Sequence, residues 1–235
     1  MRLPLRALPA IALLLAGPPA AALSPSEEHR VLAAIRRSTQ RFLAAYQGVA
    51  TLRRTVTRVY APDRRQLLET RVADQRYEHL FYDRPRVQTI GCRIDGAVAD
   101  RSRCEDRWQR LLPHIQVFDR RGEASYDVRI DDVVSIDGAR CYRVDVRPRR
   151  QTPRHFVGQM YYRLDDLSLV RMEGSVAHLP FPLSHVTLKL AFERRGEGLV
   201  DVTRGYVDVW LRIPLLYSRR IVTRFTASGH RPLPR

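Results

Sequence analysis

"GQMYYRLDDLSLVRMEG", Gly158 to Gly174, decides the fold. Met160 and Tyr162 alternate with polar neighbours, and after a short break Val170 and Met172 alternate with Arg171 and Glu173. Period two on both sides of a break predicts strand, turn, strand. Asp165 to Ser168 supplies the turn. Asp is a common turn former and adjacent side chains point apart, so Asp165 and Asp166 read as turn chemistry rather than as a pair of catalytic carboxylates.

The same pattern continues outward. "SYDVRIDDVVSI" meets "ARCYRVDVRP" across Asp137-Gly138, a strong hairpin signal. Tyr142, Val144 and Val146 share one face. "HFVGQMYYRL" places Phe156, Met160, Tyr162 and Leu164 together, and "LVRMEGSV" places Val170, Met172 and Val176 together. "HVTLKLAF" does the same for Val186, Leu188, Leu190 and Phe192. "VDVTRGYVDVWLRIPLLY" is long, with Gly205 a candidate bulge and Pro214 a break. "RRIVTRFTASG" closes the series, leaving His230 to Arg235 as a tail.

Before the hairpins, "TLRRTVTRVY" and "RQLLETRVA" read as strands joined around Pro62-Asp63, followed by "YEHLFYD" and "RVQTIGC". Trp108, Leu111 and Leu112 suggest one helical turn. Ahead of all these, Ser24, Pro25 and Glu27 form a helix-start signature. Val31, Leu32, Ile35, Phe42, Leu43 and Tyr46 follow at helical spacing, and Gly48 is the expected stop. Each strand thus has an apolar and a charged face. The expected architecture is a mainly β (α+β) chain: a strongly curved antiparallel sheet covered by an N-terminal amphipathic helix.

The first 22 residues read differently. Arg2 and Arg6 precede the apolar run "LPAIALLLAG", and Ala20 and Ala22 suit a cleavage site before Leu23. That order is a secretory signal peptide, and the run is too short for a bilayer-spanning helix. The expected product is a soluble, exported, periplasmic chain with one domain over 23–232 and a flexible tail at 233–235. Its charge of +14, after Arg2 and Arg6 are lost, is almost all Arg. The Arg pairs, such as Arg53-Arg54 and Arg219-Arg220, are scattered over the chain rather than gathered in one helix or tail. This favours a basic solvated surface able to touch anionic lipid over a nucleic-acid site.

An exported chain can hold disulfides. Cys92 and Cys104 flank the polar segment "RIDGAVADRSR" and are expected to pair; Cys141 is then a buried free thiol. The seven His residues, with His178 and His185 flanking "LPFPLS", lack a third ligand at metal-site spacing, so no metal or other cofactor is expected. No G-x-S-x-G, H-E-x-x-H, P-loop or G-x-G-x-x-G occurs. The reading is therefore a binding protein, not an enzyme. Leu179, Pro180, Phe181 and Pro182 form a stiff apolar loop, either a packed cover or the gate of a cavity. "RIPLLYSRR" combines apolar and basic groups that suit a membrane or a partner.

"MYYRLDDLSLVRMEG" resembles a hairpin of the periplasmic lipoprotein-carrier family, which includes outer-membrane lipoprotein-sorting proteins and related anti-sigma regulators. "YVDVWLRIPLLYSRRIVTRFTASGHRP" resembles the C-terminal strands of uncharacterised bacterial members. The resemblance implies an unclosed β-barrel with a helical lid and an apolar cavity for acyl chains of a lipid or lipidated protein. Phe156, Met160, Tyr162, Val170, Met172, Leu188, Leu190 and Phe192 would line it. A membrane receptor is a second possible partner. The alternative is an envelope sensor or scaffold that binds another protein, its cavity filled.

Overall fold

The computed structural model describes residues 23–63, 65–81, 83, 85–105, 117–195 and 199–234. The expected leader at 1–22 and the expected helical turn at Trp108, Leu111 and Leu112 lie outside them.

Helix α1 spans Pro25–Ala45. Its start is the capping box read from sequence: Ser24 Oγ accepts the Glu27 amide, and Glu27 Oε2 accepts the Ser24 amide at 2.9 Å. Its end differs from expectation. Tyr46 is the C-cap with extended backbone, and the chain runs straight into β1 (Tyr46–Tyr60). Gly48 lies inside β1, where a Cβ would fall 2.3 Å from the His79 carbonyl oxygen. Close strand approach, not helix termination, demands glycine there.

Strands β2 (Leu67–Leu80), β3 (Arg86–Ile94) and the two-residue β4 (Ala97–Val98) follow β1 as a meander. "RQLLETRVA" and "YEHLFYD" are thus parts of one strand rather than two. A 3-10 turn at Arg101–Cys104 brings Cys104 back to β3, and Cys92 and Cys104 are disulfide-bonded, their Cα atoms 5.7 Å apart. Cys141 is free and buried. The short helix α2 (Arg120–Ser125) then leads into β5 (Tyr126–Ile136), β6 (Ala139–Pro148), β7 (Phe156–Arg163), β8 (Leu169–Val176), β9 (Leu183–Arg195), β10 (Leu199–Ile213) and β11 (Tyr217–Pro234).

Among the described residues, eleven strands form one sheet in the order β4-β3-β2-β1-β11-β10-β9-β8-β7-β6-β5, every pair antiparallel. Edges β4 and β5 do not meet, so the curved sheet is an open half-barrel. The chain makes one meander, crosses to the far edge, and returns until β11 pairs with β1. That seam runs from Tyr60 opposite Arg220 to Tyr46 opposite Pro234. The C-terminal residues His230 to Pro234 are therefore strand, not a loose tail.

Local chemistry explains the turns. Asp137 and Gly138 both have positive φ, at 49° and 83°, the backbone that a two-residue hairpin turn needs. In the Asp165–Ser168 turn, Asp166 Oδ1 accepts the Ser168 amide at 2.8 Å. Asp131 and Asp132 sit at a bulge in β5 and hold Arg143 of β6, the Asp131 contact being 2.5 Å. A bulge between Tyr161 and Tyr162 puts Leu169, not Val170, opposite Tyr162. The bulge in β10 lies between Val202 and Arg204, so Gly205 has another purpose: the Phe225 ring occupies the space of its missing side chain.

Candidate functional site

The concave face of the half-barrel divides into two chemically distinct halves. On β5 to β10 it is apolar. Val144, Val146, Phe156, Met160, Tyr162, Met172, Val176, Val186, Leu188, Val207 and Val209 are buried there in one cluster with Ile35 of α1 and with Val117 and Phe118. Of the residues expected to line a cavity, Phe156, Met160, Tyr162, Met172 and Leu188 are buried in this cluster. Leu190 and Phe192 pack on it half-buried. Val170 does not join them, because the β8 bulge hands its place to Leu169. Phe156 has no exposed surface at all, so the floor of this half is filled by its own side chains. The Tyr162 phenol is pushed up by burial and donates to Met160 Sδ at 3.9 Å.

Helix α1 covers this half. Only Ile35 and Leu43 of its 21 residues are fully buried. The polar ties run along one margin. Glu28 Oε1 accepts the Ile130 amide of edge strand β5 at 2.8 Å, and Arg36 pairs with Glu123 of α2 at 2.6 Å. The carboxylate thereby satisfies an edge-strand donor that would otherwise be open. A second small cluster, Leu43, Val49 and Phe81 with Phe42 and Tyr46, fixes the end of α1 on β1.

The loop expected as a gate splits in two. Leu179 packs half-buried on the apolar cluster, while Phe181 is 74% exposed between the half-buried Pro180 and Pro182. The Arg212 amide donates to the Pro182 carbonyl at 2.9 Å, tying this loop to the β10–β11 turn. That turn carries the exposed residues Leu215, Leu216 and Tyr217. Exposed Leu67 and Leu68 of β2 lie at the same end of the sheet, since Tyr60 pairs with both Arg220 and Leu67. Arg212 and Arg219 flank this apolar tip.

The other half of the concave face, on β3, β2, β1, β11 and the start of β10, is polar, and sequence reading missed it. Arg53, grouped there with surface Arg pairs, is 9% exposed. Its guanidinium carbon lies 3.3 Å from the centre of the Tyr77 ring and 4.7 Å from that of Phe225. Around it are buried Thr51, Thr55, Thr57, Gln75, Thr89, Thr203 and Asp201. Thr55 Oγ1 donates to Gln75 Oε1 at 3.3 Å, and Thr57 and Thr223 share a hydrogen bond of 3.1 Å. Both Asp201 oxygens are engaged, one by His230 Nδ1 at 2.5 Å and one by the Val202 amide at 2.7 Å. Burial pulls the Arg53 guanidinium down from its ordinary value, and Tyr77 and Asp201 act against that pull. The missed signal was parity: in "TLRRTVTRVY", Arg53 alternates in step with Thr51, Thr55 and Thr57, not with Arg54 and Arg58.

The convex face is charged. An open groove of about 510 Å³ runs across it, with Asp145, Gln159, Glu173 and Lys189 along its length. His185 is spent on Thr187 at 2.8 Å and on the Trp210 ring. Among the described residues no group of three or more His, Cys, Asp or Glu could hold a metal ion, and no helix is long and apolar enough to cross a membrane.

No protein-family model and no curated protein matches the chain. Among solved structures it is similar to a DUF1329 family protein from Desulfovibrio piger, at 14% identity and a TM-score of 0.43, covering 87% of this chain and 92% of that one. It is similar to a LolA superfamily protein from Nitrosomonas europaea, at 12% identity and a TM-score of 0.44, covering 87% and 94%. It is also similar to an outer membrane lipoprotein-sorting protein domain from Vibrio parahaemolyticus, at 8% identity and a TM-score of 0.42, covering 89% and 93%. At these identities and TM-scores none of the three assigns an activity to this chain.

Proposed function

We propose that the chain is an exported, periplasmic, non-catalytic carrier that takes the acyl chain of a lipid or lipidated protein onto its concave face beneath α1. The observation that supports this reading best is how α1 is seated. It lies over a continuous apolar surface, yet few of its side chains are fully buried, and its polar ties follow one margin. A helix held this way can swing on the β5 side and open an apolar trough. Each CH₂ then buried contributes about 0.8 kcal/mol. The apolar, Arg-flanked tip at Phe181, Leu215 and Leu216 is where such a carrier would meet an anionic membrane surface for loading or release.

A second reading has its own support. Seven of the eight expected lining residues belong to or pack on one apolar cluster, and an apolar tip is exposed. A filled core with an exposed apolar patch suits a sensor or scaffold that binds another protein.

Native mass spectrometry of the protein purified from its own envelope, followed by lipid extraction, separates the two. A co-purifying acyl species near one-to-one, or one-to-one uptake of a fluorescent fatty acid, is expected for the carrier. A clean apo mass with no uptake overturns it and leaves the scaffold.

A further inference from the structure

We propose that Arg53 is the receptor for the anionic head group of an amphiphile, a carboxylate or phosphate, held on the polar half of the concave face. This inference rests on the carrier reading and names the chemistry of its cargo.

A guanidinium has two flat faces and an edge of N–H donors. Tyr77 and Phe225 cover the faces of Arg53. On its edge, Tyr77 also takes one side-chain hydrogen bond, and Nε is buried with no hydrogen-bond partner. Among the described residues no carboxylate forms an ion pair with Arg53. Asp201 is near enough to act on it, but both Asp201 oxygens are already engaged. A second orphan lies in the same cross-strand row: Arg53 pairs with Gln75, Gln75 with Thr89, and Thr89 Oγ1 is buried without a partner. Buried cations normally have a counter-charge, and an unmet buried donor is costly. An oxyanion on the Arg53 edge supplies that charge, and a planar fork suits carboxylate or phosphate in particular.

The polar half adjoins the apolar half on one concave surface, where β11 meets β10. A ligand lying across both needs an acid at one end and hydrocarbon at the other. Free anions match only the first half and neutral lipids only the second.

The test uses the full exported chain and titrates oleate against oleyl alcohol, lysophosphatidic acid against monoolein, and acetate or inorganic phosphate alone. Each acidic amphiphile is expected to bind about tenfold or more tighter than its neutral counterpart, since charged hydrogen bonds are at stake. Arg53→Met should abolish that ratio without weakening the neutral ligand. It should also leave thermal stability intact, because Met fills the slot between the two rings and removes a buried charge. Equal binding of acidic and neutral ligands by the wild type overturns the head-group site and leaves the carrier reading standing. Binding of neither overturns both. Inorganic phosphate as tight as the phospholipid shows a free-anion site and overturns the amphiphile. If Arg53→Met does not fold, Arg53 is a structural cation and the wild-type ratio should be absent; a ratio that persists, and that Arg53→Lys reduces, upholds the proposal.

Discussion

Gly158 and Gly174 face each other across β7 and β8, and the Phe156 ring lies over both. A Cβ at Gly174 would meet the Val157 carbonyl oxygen at 2.2 Å and the ring at 2.6 Å; one at Gly158 would meet the Glu173 carbonyl oxygen at 2.2 Å. Backbone cannot yield as a side-chain tip can. Gly174→Ala should therefore cost about 3 kcal/mol through overpacking. Urea unfolding should show a lower midpoint at an unchanged slope. An unchanged midpoint would mean that the strands separate to admit the methyl.

Cys141 lies fully buried in β6, and burial raises its thiol pKa. The thiolate is the reactive form. Native protein should therefore give no reaction with a disulfide reagent at neutral pH, and unfolded protein one thiol per chain. Reduction of Cys92–Cys104, which closes a loop of 12 residues of separation, should cost about 3 kcal/mol in chain entropy. Two stability measurements, with and without reductant, check this.

Local rules made the hairpins legible in sequence. Asp137-Gly138 needs two positive φ values, and few residue pairs supply them. Ser24 to Glu27 satisfies a helix start by itself. The failures were non-local. Val170 exchanged places with Leu169 because a bulge opposite Tyr162 adds one residue, and period two cannot count it. Gly48 and Gly205 looked like a helix stop and a bulge. Their real neighbours, His79 and Phe225, are 31 and 20 residues away in sequence. The last residues of the C-terminal strand, from His230 on, looked like a tail because their partner, β1, is at the other end of the chain. Arg53 was lost for a related reason: composition counts charges but does not say which face they take.

Asp208 is the hub of a different kind of support on the convex side. Arg220 grips it through Nε and Nη2, the latter at 2.6 Å; Trp210 Nε1 donates to it at 3.1 Å and the Tyr206 hydroxyl at 3.2 Å. Burial works to raise its pKa, but the Arg220 bonds and charge outweigh burial, so the carboxyl is held below its usual range. A depressed folded value means stability present above the unfolded carboxyl pKa of about 3.9 and lost as pH falls through the folded value. Asp208→Asn should cost about 2 kcal/mol at pH 7, allowing for Arg220's part-exposed edge. The gap should close in acid below the folded pKa. A mutational cost that persists unchanged in strong acid would mean that packing, not charge, matters there.

Leu215 separates stability from function at the apolar tip. Its side chain is fully exposed and its φ is +64°, a left-handed conformation that a branched apolar residue adopts at a cost of about 1 kcal/mol. Neither exposure nor backbone strain helps the fold. Leu215→Gly should raise stability by up to about 1 kcal/mol, since glycine takes that backbone without strain. If the tip meets membrane, the same change removes an inserting side chain. Binding to phosphatidylglycerol-containing vesicles should then fall about tenfold, and more for Leu215→Gly with Leu216→Gly. Binding should also weaken with salt, because Arg212 and Arg219 flank the tip. Opposite signs in the two measurements mark a residue kept for contact at the expense of the fold. A gain in stability with vesicle binding unchanged would remove the tip from the membrane and return it to the protein-partner reading.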